Sequence, residues 1–246
     1  MKKNLVFLFS LIGYCVCINN DCDIESTDRI SQNNHDFEDD CIVHPCNISD
    51  TKCIRNFFAT HGHCTPMYGP VPDPFRIELM ILLTSTSNIS VTIADVQVSG
   101  LNGEITSFYI NKKTNNLVIA FEAKNVTVSS PRITFIYNRK GKEPIRLTDG
   151  FFITYSSVTY TATIPNIKNL QLSEAYVYAY LHDNDPNFCL GPGIAQSNDP
   201  VVIKEFNDVL KKMGQIGKEA SIIQARNFMN VFIQNNICDF GLNITY

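Results

Sequence analysis

Catalytic signatures are missing from this chain. It has no G-x-S-x-G elbow, no H-E-x-x-H helix, no P-loop and no dinucleotide-binding glycine set. No catalytic residue and no cofactor is assigned. Basic residues are few, with 20 Lys and Arg against 24 Asp and Glu and a net charge of −4. The longest basic run, Arg139, Lys140 and Lys142 around Gly141, reads as a solvated hairpin turn. Nucleic acid and anionic membranes both require clustered cations, so the chain is not built for either. Five histidines are present, and only His61-Gly-His63-Cys64 has a metal-like look. It lacks a second ligand pair at zinc spacing, and exported proteins commit cysteines to disulfides, so no metal ligand is assigned. His182, Asp183 and Asp185 sit beside Pro186 and read as turn chemistry.

What is present begins with a leader. Lys2 and Lys3 precede an apolar stretch from Leu5 to Val16, and Cys15 and Cys17 put small side chains before a cleavage point at Ile18. Residues 1–17 are thus expected to be a signal peptide, too short to span a bilayer and with no later stop-transfer segment. The expected setting is secreted, extracellular and oxidising. Residues 18–40 are polar and acidic, with a single Arg29, and read as a flexible arm. The regular acidic spacing of a calcium loop is absent from them. Seven cysteines follow the leader: Cys22, Cys41, Cys46, Cys53, Cys64, Cys189 and Cys238. An odd number leaves one thiol free, paired with another chain, or outside the domain edge. Four sequons mark Asn47, Asn88, Asn125 and Asn243 as glycosylation candidates on the surface, the last of them nearest the terminus.

Residues 41–246 are expected to form one domain. A short helix is expected between Cys46 and Phe58, capped by Ser49 or Asp50, with Cys53, Ile54, Phe57 and Phe58 on one side. Cys46 before that cap and Cys53 one turn inside it suit a local disulfide. Tyr68-Gly-Pro-Val-Pro-Asp-Pro74 excludes both helix and central strand. The middle of the chain alternates at the period of half-buried strands: 88–98, 105–110, 117–123, 126–128, 133–137, 151–164 and 175–181. Val91 and Ile93 give way to Val96 and Val98 through a phase shift at Ala94-Asp95, as a bulge permits. Asn111 to Asn116 suits a hairpin. Tyr176, Tyr178 and Tyr180 share one strand face, either a binding surface or an ordinary amphipathic lining. From a cap at Asp199, apolar residues at three- and four-residue steps run from Val202 through Ile216, Ala220 and Ile223 to Phe228 and Phe232. A helix of about thirty residues would be roughly 45 Å long and must lie along something elongated.

Three segments carry a resemblance. His44-Pro-Cys46-Asn-Ile-Ser-Asp-Thr-Lys-Cys53-Ile-Arg resembles the amino-terminal disulfide helix of the insect juvenile hormone-binding and takeout superfamily, as does Pro72-Asp73-Pro74-Phe75 with Val98-Ser-Gly-Leu101. Within that group, His63-Cys64 followed by Gly69-Pro-Val-Pro-Asp-Pro74, and Phe232-Ile-Gln-Asn-Asn-Ile-Cys238-Asp-Phe-Gly-Leu242, look more like the fibrohexamerin family of moth silk glycoproteins. The resemblance implies an α+β fold in which a strongly curved antiparallel sheet wraps a long C-terminal helix. It also implies an exported, glycosylated, non-enzymatic protein bound non-covalently to the fibroin heavy and light chains, which it keeps soluble. The competing implication is a carrier of a small hydrophobic ligand, a terpenoid hormone or lipid, held between helix and sheet. The expected disulfide scheme pairs Cys46 with Cys53 and Cys189 with Cys238, leaving Cys22, Cys41 and Cys64 to compete for one bond.

Overall fold

The computed structural model describes residues 41–83, 89–182, 186–198, 200, 203–204 and 211–242. The expected signal peptide and acidic arm lie outside these residues, as do Cys22, Asn88, Asp183, Asp185, Asp199, Asn243 and the early helical positions Val202, Phe206, Val209 and Leu210.

The chain runs β1 (Ile42–Val43), α1 (Thr51–Gly62), β2 (Thr65–Pro66), β3 (Phe75–Leu83), β4 (Ile89–Ser99), β5 (Glu104–Asn111), β6 (Asn116–Arg139) and β7 (Lys142–Pro165). It continues through β8 (Tyr176–Leu181), β9 (Asn187–Leu190), α2 (Pro192–Ala195), α3 (Met213–Asn236) and β10 (Cys238–Asp239). One antiparallel sheet follows the order β1-β5-β6-β4-β3, and β7 pairs with β6, β8 and β9. A separate two-stranded ladder joins β10 to β2. The architecture is α+β, an open curved sheet with a long helix on its inner face.

The three stretches expected between Leu117 and Tyr137 are one strand. β6 spans 24 residues and pairs with β7 over nearly its whole length. Exposed Lys124 and Asn125, and the register shift between Ser130 and Ile133, interrupt its apolar alternation without ending its ladder. Irregularities of this kind bend a strand and increase its twist, which is how so long a pair can curl over a helix. Asp95 sits beside the second one with φ 55, and the burial phase of β4 shifts there as the sequence predicts. The Ser130 hydroxyl donates to Ala94 O at 2.5 Å and accepts from Arg132 N at 2.8 Å, stitching the two irregular segments together.

α1 begins at Thr51 and not at Cys46, because Asp50 is the cap: its Oδ1 accepts from Cys53 N at 2.9 Å. It runs four residues past Phe58 and closes at His63 in the left-handed region, φ 52. α3 covers 24 residues, so the described helix is shorter than expected. Its buried face also differs. Ile222 and Ile223 are 52% and 53% exposed, while Ser221 and Gln224 point inward with Ala225, Phe228 and Met229. By its last turns the helix is buried on every side, Val231 through Gln234 all being inside.

The centre of the core is aromatic. Phe232 of α3 stacks on Phe121 of β6 at 3.8 Å, Phe121 stacks on Tyr160 of β7 at 5.0 Å, and Phe228 meets the Tyr160 edge at 6.0 Å. Phe58 of α1 joins this core through Phe108 and Phe240. Rings of this size supply the largest apolar areas available to a core, and here they fasten the helix across the two longest strands.

Candidate functional site

Sheet alternation sends Phe151, Ile153 and Tyr155 of β7 inward, where they meet Ile216, Gly217 and Phe228 of α3 across a cavity of about 60 Å³. Met80, Val91, Ile93, Ile133 and Phe135 complete the apolar side. The polar groups of this cavity are Tyr155, Ser221 and Gln224, all buried. The Tyr155 hydroxyl donates to Gly217 O at 3.1 Å. Burial pushes this phenol up to about 12, and the Ser221 hydroxyl beside it offsets only part of that shift. Tyr160, further inside, is raised more strongly by burial and then by proximity to Tyr155. Both phenols are therefore neutral at physiological pH and offer hydrogen bonds, not acid–base chemistry. An apolar cavity that admits benzene measures roughly 150 Å³. The present one is smaller, so a terpenoid or fatty chain would need its walls to move. Tyr155 was legible from β7 alternation, but Ser221 and Gln224 were not, because polar residues on a helix are read as its wet face.

A second hollow of about 420 Å³ lies where α1, β5 and the end of α3 converge. Arg55 dominates it, yet its donors are engaged: Nε donates to Asn236 O at 2.9 Å and Nη1 to Thr51 Oγ1 at 3.2 Å. Its guanidinium also stands over the Tyr68 ring at 4.9 Å. Arg55 is a structural cap for the C-terminal carbonyls of α3, where a cation is favoured.

The same corner holds the disulfides. Cys46 and Cys53 are bonded at 2.02 Å, clamping the entry to α1. Cys64 and Cys238 are bonded at 2.06 Å, which corrects the expected Cys189–Cys238 pair. The physical reason is geometric: β2 and β10 pair Thr65 with Asp239 and Pro66 with Cys238, so the end of α1 meets the end of α3. Cys189 instead lies buried in β9, where it faces Phe152 of β7. Cys41 is a half-buried free thiol. Cys64 being bonded, His61 and His63 stand apart from any ligand set: His61 stacks on Phe57 at 4.1 Å and its Nδ1 lies 2.8 Å from Phe57 O. Among the described residues no group of His, Cys, Asp or Glu is arranged to hold a metal ion, and no helix is long and apolar enough to cross a membrane.

Two sequons are described, and both asparagines are exposed. Asn47 precedes α1, its Oδ1 accepting from Ser49 N at 3.0 Å and Ser49 Oγ at 2.9 Å. Asn125 adopts φ 53 within β6.

The outer face of the sheet differs sharply from its inner one. β8 alternates as predicted, with Tyr176, Tyr178 and Tyr180 exposed by 71%, 44% and 61% and Val177, Ala179 and Leu181 packed toward the core. Their β7 partners are Thr163, Thr161 and Thr159. The next rank on β6 is Val118, Ala120 and Glu122. The Ser157 hydroxyl donates to Glu122 Oε1 at 2.5 Å and holds that carboxyl below its ordinary range.

Comparison with known proteins gives this arrangement a relationship. A curated Fibrohexamerin of Galleria mellonella is 23% identical over 202 residues, covering 81% of this chain and 89% of that relative. Among solved structures, Takeout 1 of Epiphyas postvittana superimposes with a TM-score of 0.47 at 16% identity, covering 78% of this chain and 93% of that one. The family model described as Fibroin P25 matches residues 42–242, from β1 to the last described residue, and so the chain belongs to the Fibroin P25 family.

Proposed function

We propose that this chain is a secreted, non-enzymatic glycoprotein of silk that associates non-covalently with the fibroin heavy and light chains and keeps them soluble until assembly. The observation that carries this reading is the family match across 42–242, joined by the fibrohexamerin relative. The chemistry of the surface agrees with it. A net negative charge and carbohydrate at Asn47 and Asn125, with Asn88 and Asn243 as further sequon sites, oppose the edge-to-edge pairing that makes long β-rich chains aggregate. The test is recovery from silk-gland lumen. The protein is expected to co-purify with fibroin heavy and light chains and to leave them in denaturant without reductant. Recovery as a lone soluble protein would overturn the reading.

A second reading, carriage of a small hydrophobic ligand, is favoured by one observation: the apolar cavity beneath α3 with Tyr155, Ser221 and Gln224 at its wall. Its size is against it. A bound ligand at 100 times its Kd would stabilise the fold by about 2.7 kcal/mol. That corresponds to a thermal shift of roughly 5–11 °C for a domain of this length. Titration with a terpenoid or a fatty acid is expected to leave the transition unmoved. A saturable shift of that size would transfer the function to ligand carriage.

A further inference from the structure

We propose that the ladder of Tyr176, Tyr178 and Tyr180 on β8, with Thr163, Thr161 and Thr159 beside it, is the surface that holds the silk partner, through an extended, uncharged segment of small side chains. This rests on the assembly reading above and names the surface it leaves open. The cross-strand register builds the face row by row. Tyr176, Thr163, Val118 and Tyr109 form one row, and Tyr178, Thr161, Ala120 and Ser107 the next. Neither row contains a charge. Carboxylates enter only in the third, where Tyr180 and Thr159 are followed by Glu122 and Glu104.

The other end of the sheet is mixed: exposed Arg76, Glu78, Asp95, Arg132 and Arg146 stand among exposed Leu79, Ile81 and Phe152, with Arg132 and Asp95 paired at 2.9 Å. Cross-strand pairing of tyrosine with threonine supports the strand itself, and tyrosine is in addition enriched where proteins meet. β8 also ends the sheet on its side, since β7 is its only strand partner among the described residues. The ladder therefore stands on the outer face of the last strand on that side, with α3 packed against the strand's other face.

The geometry selects the occupant. Successive outward residues on a strand recur at about 6.6–6.8 Å. The rings of Tyr176 and Tyr178 stand 6.2 Å apart, tilted at 42°. A strand laid along β8 has the same repeat, so it presents one side chain per rung. Small side chains let its backbone come close to the ring faces, where the hydroxyls of Tyr and Thr can hydrogen-bond it. A charged side chain would lose hydration over rows that offer no counter-charge. The exposed tyrosine surface is on the order of 350 Å², from typical ring areas. This is below the roughly 800 Å² per partner of a standard stable interface, which makes the contact reversible.

The test compares the full-length protein with the triple variant Tyr176→Thr, Tyr178→Thr, Tyr180→Thr, threonine being a strand former already present in the adjacent row. The probe is the fibroin heavy–light chain complex purified from silk-gland lumen. The variant is expected to bind at least tenfold more weakly, while Tyr68→Ser, an exposed tyrosine away from this face, binds as the unaltered protein does. In the unaltered protein, nitration of Tyr176, Tyr178 and Tyr180 is expected to fall on complex formation while Tyr68 stays reactive, a readout that does not depend on the variant folding. Equal binding by the triple variant with unchanged nitration would overturn the docking surface and leave the assembly reading intact. No binding by the unaltered protein would overturn the assembly reading and the surface with it. Concentration-dependent self-association lost in the triple variant would reassign the ladder to contact between copies.

Discussion

The two described disulfides contain the same bond but close very different loops, and their removal should separate accordingly. Cys46–Cys53 spans 7 residues of sequence and Cys64–Cys238 spans 174. A cross-link stabilises chiefly by removing conformations from the unfolded chain, with a cost that grows as the logarithm of loop length. On that basis the short loop contributes about 2 kcal/mol and the long one about 5 kcal/mol. Both pairs are changed to alanine, because Cys46 and Cys238 are buried and a serine hydroxyl there would add a polar penalty of its own. Each double variant keeps the other described bridge. Urea unfolding under non-reducing conditions is expected to show Cys64→Ala/Cys238→Ala less stable than Cys46→Ala/Cys53→Ala by about 3 kcal/mol. In thermal unfolding this is a gap of roughly 6–12 °C for a domain of this length. The long loop joins the end of α1 to the end of α3, so its loss also frees the β2–β10 ladder. Equal losses in the two variants, or a larger loss on breaking Cys46–Cys53, would refute the reasoning.

The buried phenols predict alkaline instability. Tyr155 titrates near 12 in the folded chain and near 10 once unfolded, so the unfolded state sheds its proton first and stability falls as pH rises from about 10 to 12. Each such tyrosine steepens the fall by up to about 1.4 kcal/mol per pH unit, and Tyr160 adds to it over the same interval. Absorbance of tyrosinate should show two phenols ionising only together with unfolding, and smooth titration of every tyrosine in the folded state would contradict this. Phe232→Ala removes the ring stacked on Phe121 and should cost about 3–5 kcal/mol in urea unfolding, while a loss under 1 kcal/mol would deny that this contact fastens helix to sheet. Asn47→Gln and Asn125→Gln should each lower the mass of the secreted protein by one glycan, and an unchanged mass would remove that site from the glycoprotein reading.

Strand positions were legible because alternation records burial directly: β4, β5 and β8 appear where period two predicts them, and Asp95 marks the phase shift. Strand lengths were not. Lys124-Asn125 and Ser129-Ser130-Pro131 read as connections, since polar, loop-forming residues in sequence look alike whether they end a strand or bend one. The buried face of α3 was misread for a related reason. Ile223 continues the apolar spacing of Ile216, but the sheet reaches the helix on the side of Ser221, Gln224 and Phe228. A hydrophobic stripe identifies a face only when one side is covered, and α3 passes from half-covered to largely enclosed along its length. The Cys64–Cys238 bond was beyond sequence reasoning, because it depends on where two helices end in space.

Inner and outer faces divide the two functional readings. Carriage requires volume inside, and about 60 Å³ is too little for the ligands that reading names. The aromatic stack of Phe121, Tyr160, Phe228 and Phe232 fills the space between α3 and the two longest strands. Filling that space fastens α3 to the longest strands and makes the sheet rigid. A rigid sheet in turn fixes the spacing of everything on its outer face, where the exposed tyrosines lie. A core filled by aromatic rings around so small a cavity suits the proposed role at the surface better than carriage in the interior.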